Sequence, residues 1–437
     1  MTCVRAEVVE VWAWGSLVGA VALDPDTGFY AFAYTPAWIE TGIELAPLAM
    51  PLATTPYEAR SLSPATFYRL PAMLADALPD AFGNALVDRW MADQGVPSDS
   101  ITPLDRLTYA ADRAIGALEF RPPARTSDDE PVTAVLLADL VQAARSTVHA
   151  DLGSASNASD ALRQLISVGT SAGGARAKAV VAFNPSSYQV HSAYEPLLDG
   201  FQQWLIKLDG VSDTGMDGHG DNLGVSAPYG RIEYAYFQLA SLAGIQLSPC
   251  LLLAEGPRRH FMTRRFDRNT EGGKLHLASL CALAELDFKF IGAHSYDQLF
   301  HVVARLGLGH AAMAEAYRRM VFNVAAANHD DHSKNFAFLC NSIGQWSLAP
   351  AFDVTHAYRS DSIWTSRHLL TVNDKFIDIT IDDLHAVGER NKVPDYRRIV
   401  RQVLGAVEQW PQVAETAEVP EEFISSIAAD LDRLRPH

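Results

Sequence analysis

Cysteine is scarce in this sequence. Its 437 residues include four, Cys3, Cys250, Cys281 and Cys340, far apart and never in a C-x-x-C pair. That argues against a disulfide framework and a thiolate zinc site, and it points to a reducing compartment. Long apolar runs are missing as well. No stretch approaches the ~20 residues that a membrane helix needs. The start, MTCVRAEVVEVWAW, has no basic region ahead of a long apolar one, so no signal peptide is expected. A soluble, cytoplasmic protein is the expectation. Basic residues are in deficit, with 35 Lys+Arg against 52 Asp+Glu and a net charge of −17. Such a surface argues against direct wrapping of nucleic acid, where Lys and Arg supply most of the affinity. No internal repeat is present. What remains is ordinary globular composition, 48% hydrophobic and 20% charged, which permits large cores. At about 150 residues per domain the length predicts two or three units.

Residues 6–34 read as an antiparallel meander. Val8 to Trp14 and Leu17 to Leu23 are rich in β-branched and aromatic residues, with Gly15-Ser16 as a tight turn between them. Asp24-Pro25-Asp26-Thr27-Gly28 then turns into Phe29 to Tyr34. Ser63-Pro64 has the form of an N-cap and first-turn proline, and Phe67, Leu70, Leu74 and Leu78 recur at helical spacing, which predicts one helix. A second covers Asn84 to Gln94, stopped by Gly95 and Pro97. Proline-bounded Arg121 to Pro131 marks a boundary; a helix at 134–147 and a small-residue linker at 152–159 follow. Strands are expected at Ala179 to Phe183, Gln203 to Leu208, Leu251 to Ala254 and His260 to Arg264, with a helix at Ile232 to Ala243. Beyond 295 the pattern is mainly helical. It is interrupted by a polar stretch at 328–335 and a strand pair near 336–348, and it ends in a helix from about Glu421 to Leu434.

Four segments carry chemistry. Gly169 to Lys178 is rich in glycine and precedes an apolar strand, so its backbone N–H groups can approach an anion. Ala175 stands where a Walker A loop needs Lys, and no helix follows as a dinucleotide fingerprint requires; a plain glycine turn is the bland alternative. Asn328-His329-Asp330-Asp331-His332-Ser333-Lys334-Asn335 follows a helical stretch, and Asp353 comes 18 residues after Asn335. One carboxylate can accept or orient the proton of an attacking hydroxyl, while an Asn five residues on and a second Asp can bind Mg²⁺, a hard cation that takes oxygen ligands. A metal-dependent phosphohydrolase using His329, Asp330 and His332 competes with this reading, as does a solvated polar loop. Lys207 lies amid apolar strand residues and needs an anionic partner. Glu233, opening the next helix, can supply one, as in the Lys–Glu pair with which kinases hold nucleotide phosphates; a surface Lys on an edge strand is the bland counterpart. Thr263-Arg264-Arg265-Phe266-Asp267-Arg268 closes a strand where backbone can hydrogen-bond adenine, or where Arg and Asp form a structural cluster.

In this order the segments resemble the HipA family of serine/threonine protein kinases, the toxins of type II toxin–antitoxin modules. Leu78-Pro79-Asp80, Ile115 to Phe120, Arg265 to Arg268 and Ala349 to Asp353 extend the resemblance over nearly the whole chain. It implies an α+β, protein-kinase-like bilobal fold. An N-terminal domain at 1–125 (β-meander plus helices) precedes an N-lobe-like region at 126–265 and a helical C-lobe at 266–437. It implies Asp330 as catalytic residue, Asn335 and Asp353 as Mg²⁺ ligands, and ATP bound by Ser171, Ala172, Gly173, Gly174, Lys178, Lys207, Glu233, Arg264, Arg265, Phe266 and His332. Ser171 matches a serine autophosphorylated in the family; Thr170 is a further possible site. The expected partner is a HipB-like helix-turn-helix antitoxin, through which DNA contact would mainly run. The implied targets are aminoacyl-tRNA synthetases. Asp- and Gly-rich residues 208–231 depart from the family pattern, so no role transfers there. A degenerate kinase acting as an antitoxin-bound corepressor is the other alternative.

Overall fold

A computed structural model describes residues 5–123, 177–193, 197–209, 228–269 and 273–431. The helix expected at 134–147, the linker at 152–159, the Gly-rich segment with Thr170, Ser171, Ala172, Gly173 and Gly174, and most of 208–231 lie outside them. The structure is mixed α+β. It divides into two compact units built from separate stretches of chain. One comprises Met1–Ala227, Leu253–Leu277 and Asn341–Gly344; the other comprises Pro228–Leu252, Ala278–Cys340 and Gln345–His437. Among the described residues no helix is long and apolar enough to cross a membrane.

The first unit contains two sheets. In Val8–Ala13 the residues Val9, Val11 and Ala13 are buried while Val8 faces outward, the period-two pattern of a strand with one solvated face. With Ser16–Leu23 and Tyr30–Tyr34 it forms the expected meander, extended by Tyr57–Glu58 at one edge and Leu118–Arg121 at the other. The first turn sits one residue earlier than expected. Ala13 pairs with Ser16, so the loop is Trp14-Gly15, with φ of 49° and 76°; two positive φ values suit the twist of a two-residue hairpin. The helix predicted through Phe67, Leu70, Leu74 and Leu78 is instead two short ones, Pro64–Phe67 and Ala72–Asp76. Tyr68 and Arg69 between them have positive φ, and Pro71 can neither donate the next helical bond nor let its predecessor stay helical. All four apolar residues are nonetheless buried: the spacing identified core positions but not the backbone path. The second sheet has the strand order Gln189–Ser192, Lys178–Asn184, Gln202–Lys207, Arg258–Arg264 and Cys250–Glu255; residues from Leu253 onward of the last strand belong to this unit.

Within this unit the N-terminal residues are locked to the stretch 258–277. Gly116 N–H donates to Asp267 Oδ2 at 2.7 Å, and Arg268 Nη1 donates to Gly116 O at 2.9 Å. Gly116 has φ 83°, and a Cβ there would lie 2.8 Å from Leu277 N, so the approach requires glycine. Arg265 grips Asp267 through both Nε and Nη2, at 2.9 and 2.6 Å. Burial raises the Asp267 pKa, but the Arg265 and Arg268 guanidiniums and the Gly116 N–H more than offset this and hold it well below the usual carboxylate range.

The second unit is mainly helical. Helix Gly309–Ala325 buries Tyr317, Met320, Val321 and Phe322. Tyr236, on helix Tyr229–Leu242, donates its hydroxyl to Ala326 O at 2.7 Å and sets its ring edge-on to Phe322 and Trp410. That contact seats the end of Gly309–Ala325, where the polar loop begins. Strands Ala337–Cys340 and Trp346–Leu348 pair beyond the loop, and helix Glu421–Leu431 comes last in the described chain.

Candidate active site

The loop 328–335 and the stretch holding Asp353 are laced together at both ends. Ala327, with φ 48°, turns the chain out of the helix. Ala357 N–H then donates to Ala327 O at 3.1 Å, and His329 N–H to Ala357 O at 3.3 Å. On the far flank Ala349 N–H donates to Ala337 O at 3.0 Å. Residues 349–357 are therefore tied to the chain just before Asp330 and just after Asn335. A buried ion pair braces this stretch. Arg319 Nε lies 2.8 Å from Glu315 Oε1, and Arg319 Nη2 donates to Ala349 O at 2.8 Å. Glu315 also accepts from Gln246 N–H at 3.0 Å, and Gln246 O accepts from Ala351 N–H at 2.8 Å. Asp353 itself has φ 51°, a conformation that Asp tolerates better than most residues.

Two adjacent aspartates have opposite surroundings. The Asp330 side chain is 47% exposed. Asp331 is 1% exposed. It accepts from Leu369 N–H at 2.7 Å, from Tyr296 Oη at 2.7 Å and from His368 Nδ1 at 2.8 Å. Asn335 Nδ2 donates to Asp330 O at 2.6 Å, which leaves Oδ1 as the amide's acceptor. His332 Nε2 stands 3.5 Å from Asp330 Oδ1. Its ring lies 5.3 Å from that of Phe288, over which Lys334 also sits. Ser333 Oγ donates to Leu286 O at 2.7 Å and anchors the short 3-10 turn Ser333–Asn335.

The remaining sequence-derived residues fall in both units. In the first, Lys178 and Lys207 are directly opposed across antiparallel strands, so they share a sheet face. Lys178 is buried, and Lys207 holds its Nζ 5.7 Å from the Phe261 ring centroid. Arg264 ends strand Arg258–Arg264, and Arg265 and Phe266 follow it. Arg265 spends its guanidinium on Asp267 and its N–H on Gln203 O, so that side chain is structural. Glu233 is buried in helix Tyr229–Leu242 of the second unit.

Asn335 and Asp353 carry an amide oxygen and a carboxylate, donors with which a Mg²⁺ site could be built. Both are hard ligands of the kind this cation takes. Among the described residues no three His, Cys, Asp or Glu side chains gather as a metal-binding group, and the His329 ring lies 4.1 Å from that of His368, tilted at 39° to it. Reading the sequence missed Asp331, Tyr296, Asn323 and His368. Only the second Asp of the Asp-Asp pair gave any signal, and nothing marked its distant partners.

Two family models match the chain: the HipA N-terminal domain over residues 9–121 and the HipA-like C-terminal domain over residues 170–411. Among solved structures, the Shewanella oneidensis MR-1 toxin–antitoxin complex of HipA, HipB and operator DNA contains a similar chain. The alignment covers 97% of this chain and 96% of that one, at 16% identity and a TM-score of 0.64. The Helicobacter pylori proinflammatory kinase CtkA aligns over 53% of this chain and 93% of its own, at 11% identity and a TM-score of 0.29, too distant to carry weight. No curated protein matches.

Proposed function

The chain belongs to the HipA family, and from that premise we propose that it is an ATP- and Mg²⁺-dependent serine/threonine protein kinase, the toxin of a HipA/HipB-type module. The observation that carries this reading is the division of labour between Asp330 and Asp331: one carboxylate is presented to solvent on a loop that the other anchors. Asp330 accepts or orients the proton of the acceptor hydroxyl. Asn335 and Asp353 hold Mg²⁺, which when bound neutralises charge on the triphosphate. Lys207 and Lys178 face the phosphates, and backbone at 264–266 meets the adenine. The acceptor is a translation factor such as an aminoacyl-tRNA synthetase.

Autophosphorylation at Ser171 would add roughly −1.5 to −2 charges close to the nucleotide phosphates. Repulsion then disfavours ATP, and the kinase is switched off. The Shewanella protein's association with HipB and operator DNA supports a HipB-like antitoxin as partner. A net charge of −17 suits DNA contact made mainly through that partner. The test is Asp330→Asn, assayed by phosphopeptide mass spectrometry after brief expression and by phosphate transfer from labelled ATP. Transfer should vanish while the melting temperature stays within a degree or two, as for surface changes of under ~0.5 kcal/mol. Undiminished autophosphorylation removes Asp330 from the mechanism.

A further inference from the structure

The Asp330 carboxylate is half exposed, with His332 Nε2 3.5 Å from Oδ1, so its placement depends largely on its backbone. That backbone is gripped from below. Asp331 takes three donors from two segments remote in sequence: Tyr296 on helix Tyr296–Arg305, and His368 with Leu369 beyond the Asp353 stretch. The grip closes into a ring. Tyr296 Oη accepts from Asn323 Nδ2 at 3.0 Å, and Asn323 Oδ1 accepts from Asn328 Nδ2 at 2.9 Å. Asn328 leads back to Asp331 along the chain through His329, whose ring lies 4.1 Å from His368. Asp331 and Asn328 belong to the loop, Tyr296 and Asn323 do not, and these four side chains are all buried.

We propose that Asp331 is a positioning residue whose carboxylate fixes the backbone on which Asp330 stands. It touches neither nucleotide nor acceptor. Charge-assisted hydrogen bonds are the strong ones, and three of them converging on one buried group leave the loop a single arrangement. Asparagine at 331 keeps the shape. Its oxygen still accepts from Leu369 N–H, but its amino group faces the Tyr296 and His368 donors. The consequence for phosphoryl transfer rests on the kinase reading above; the consequence for loop order does not.

The experiment compares wild type, Asp331→Asn and Tyr296→Phe. Amide hydrogen exchange is measured across 328–335, together with single-turnover transfer from Mg·ATP and equilibrium binding of Mg·ADP. In Asp331→Asn, exchange in 328–335 should quicken beyond that of the rest of the unit. Transfer should slow about 10–100-fold, the usual cost of an ångström-scale misplacement, with Mg·ADP affinity changed by less than about threefold. Tyr296→Phe removes one donor and should move both readouts the same way by less, which keeps the test alive if Asp331→Asn does not fold. Unchanged exchange in 328–335, or a loss of rate that only follows a loss of global stability, overturns the proposal. If wild type itself transfers no phosphate, the kinase reading fails and the exchange data alone decide the role of Asp331.

Discussion

His276 allows a quantitative test of how the N-terminal residues are held. Its ring is buried, and Nε2 lies 2.9 Å from Leu45 O, which can only accept, so the ring donates there. Burial lowers its pKa from 6.5 to about 4, against a smaller upward pull from the Leu45 carbonyl. The sign follows directly. Between these two values the unfolded chain binds a proton that the folded chain refuses. The stability contribution of the neutral ring is therefore complete above about pH 6.5, falls as the pH drops, and levels off near the folded pKa. The interval is 6.5 − 4 = 2.5 pH units; at 1.36 kcal/mol each it amounts to about 3 kcal/mol. His260 is also lowered by burial and adds a loss of the same sign, so the wild-type profile alone does not isolate one residue. His276→Gln does, because glutamine keeps an Nε2–H for Leu45 but cannot titrate. Urea unfolding at a series of pH values from neutral down to about 4.5 should show wild type losing roughly 2–3 kcal/mol more than His276→Gln across the series. Parallel losses in the two proteins would refute the reasoning.

Two further outcomes follow from the first unit. Asp267→Asn leaves the buried Arg265 and the neighbouring Arg268 facing an amide and should cost about 3–5 kcal/mol, the usual penalty for breaking a buried pair, measured by urea unfolding. Lys207→Met removes one of the two opposed ammonium groups. It should weaken Mg·ATP binding at least about tenfold, or ~1.4 kcal/mol, read by calorimetry.

Local patterns in the sequence located most strands and the polar loop at 328–335. Alternation found the meander because Val9, Val11 and Ala13 share one buried face, a property each residue expresses on its own. The failures came where burial and backbone path part company, or where a role is set by groups far along the chain. Phe67, Leu70, Leu74 and Leu78 have helical spacing and are all buried, yet Pro71 breaks the path between them; burial and backbone conformation are separate properties that spacing confounds. Leu118–Arg121 became a sheet edge only because Val8–Ala13 presented free backbone to it, over a hundred residues earlier.

The same division runs through the candidate site. Asp330 and Asp331 are chemically identical and adjacent, and the pattern of Asp, Asn and Asp that singled out Asp330 says nothing of what Asp331 does. Its role is set by Tyr296, His368 and Leu369, which stand 35, 37 and 38 residues away and carry no motif. A reacting carboxylate must stay accessible, so it contributes little to its own placement; rigidity has to come from a neighbour that reaches the core. Motif reading singled out the exposed member of the pair through its spacing to Asn335 and Asp353, a pattern that phosphoryl transfer would constrain. The buried member is constrained only by packing, and packing can be met by any donor that the fold delivers to the right place.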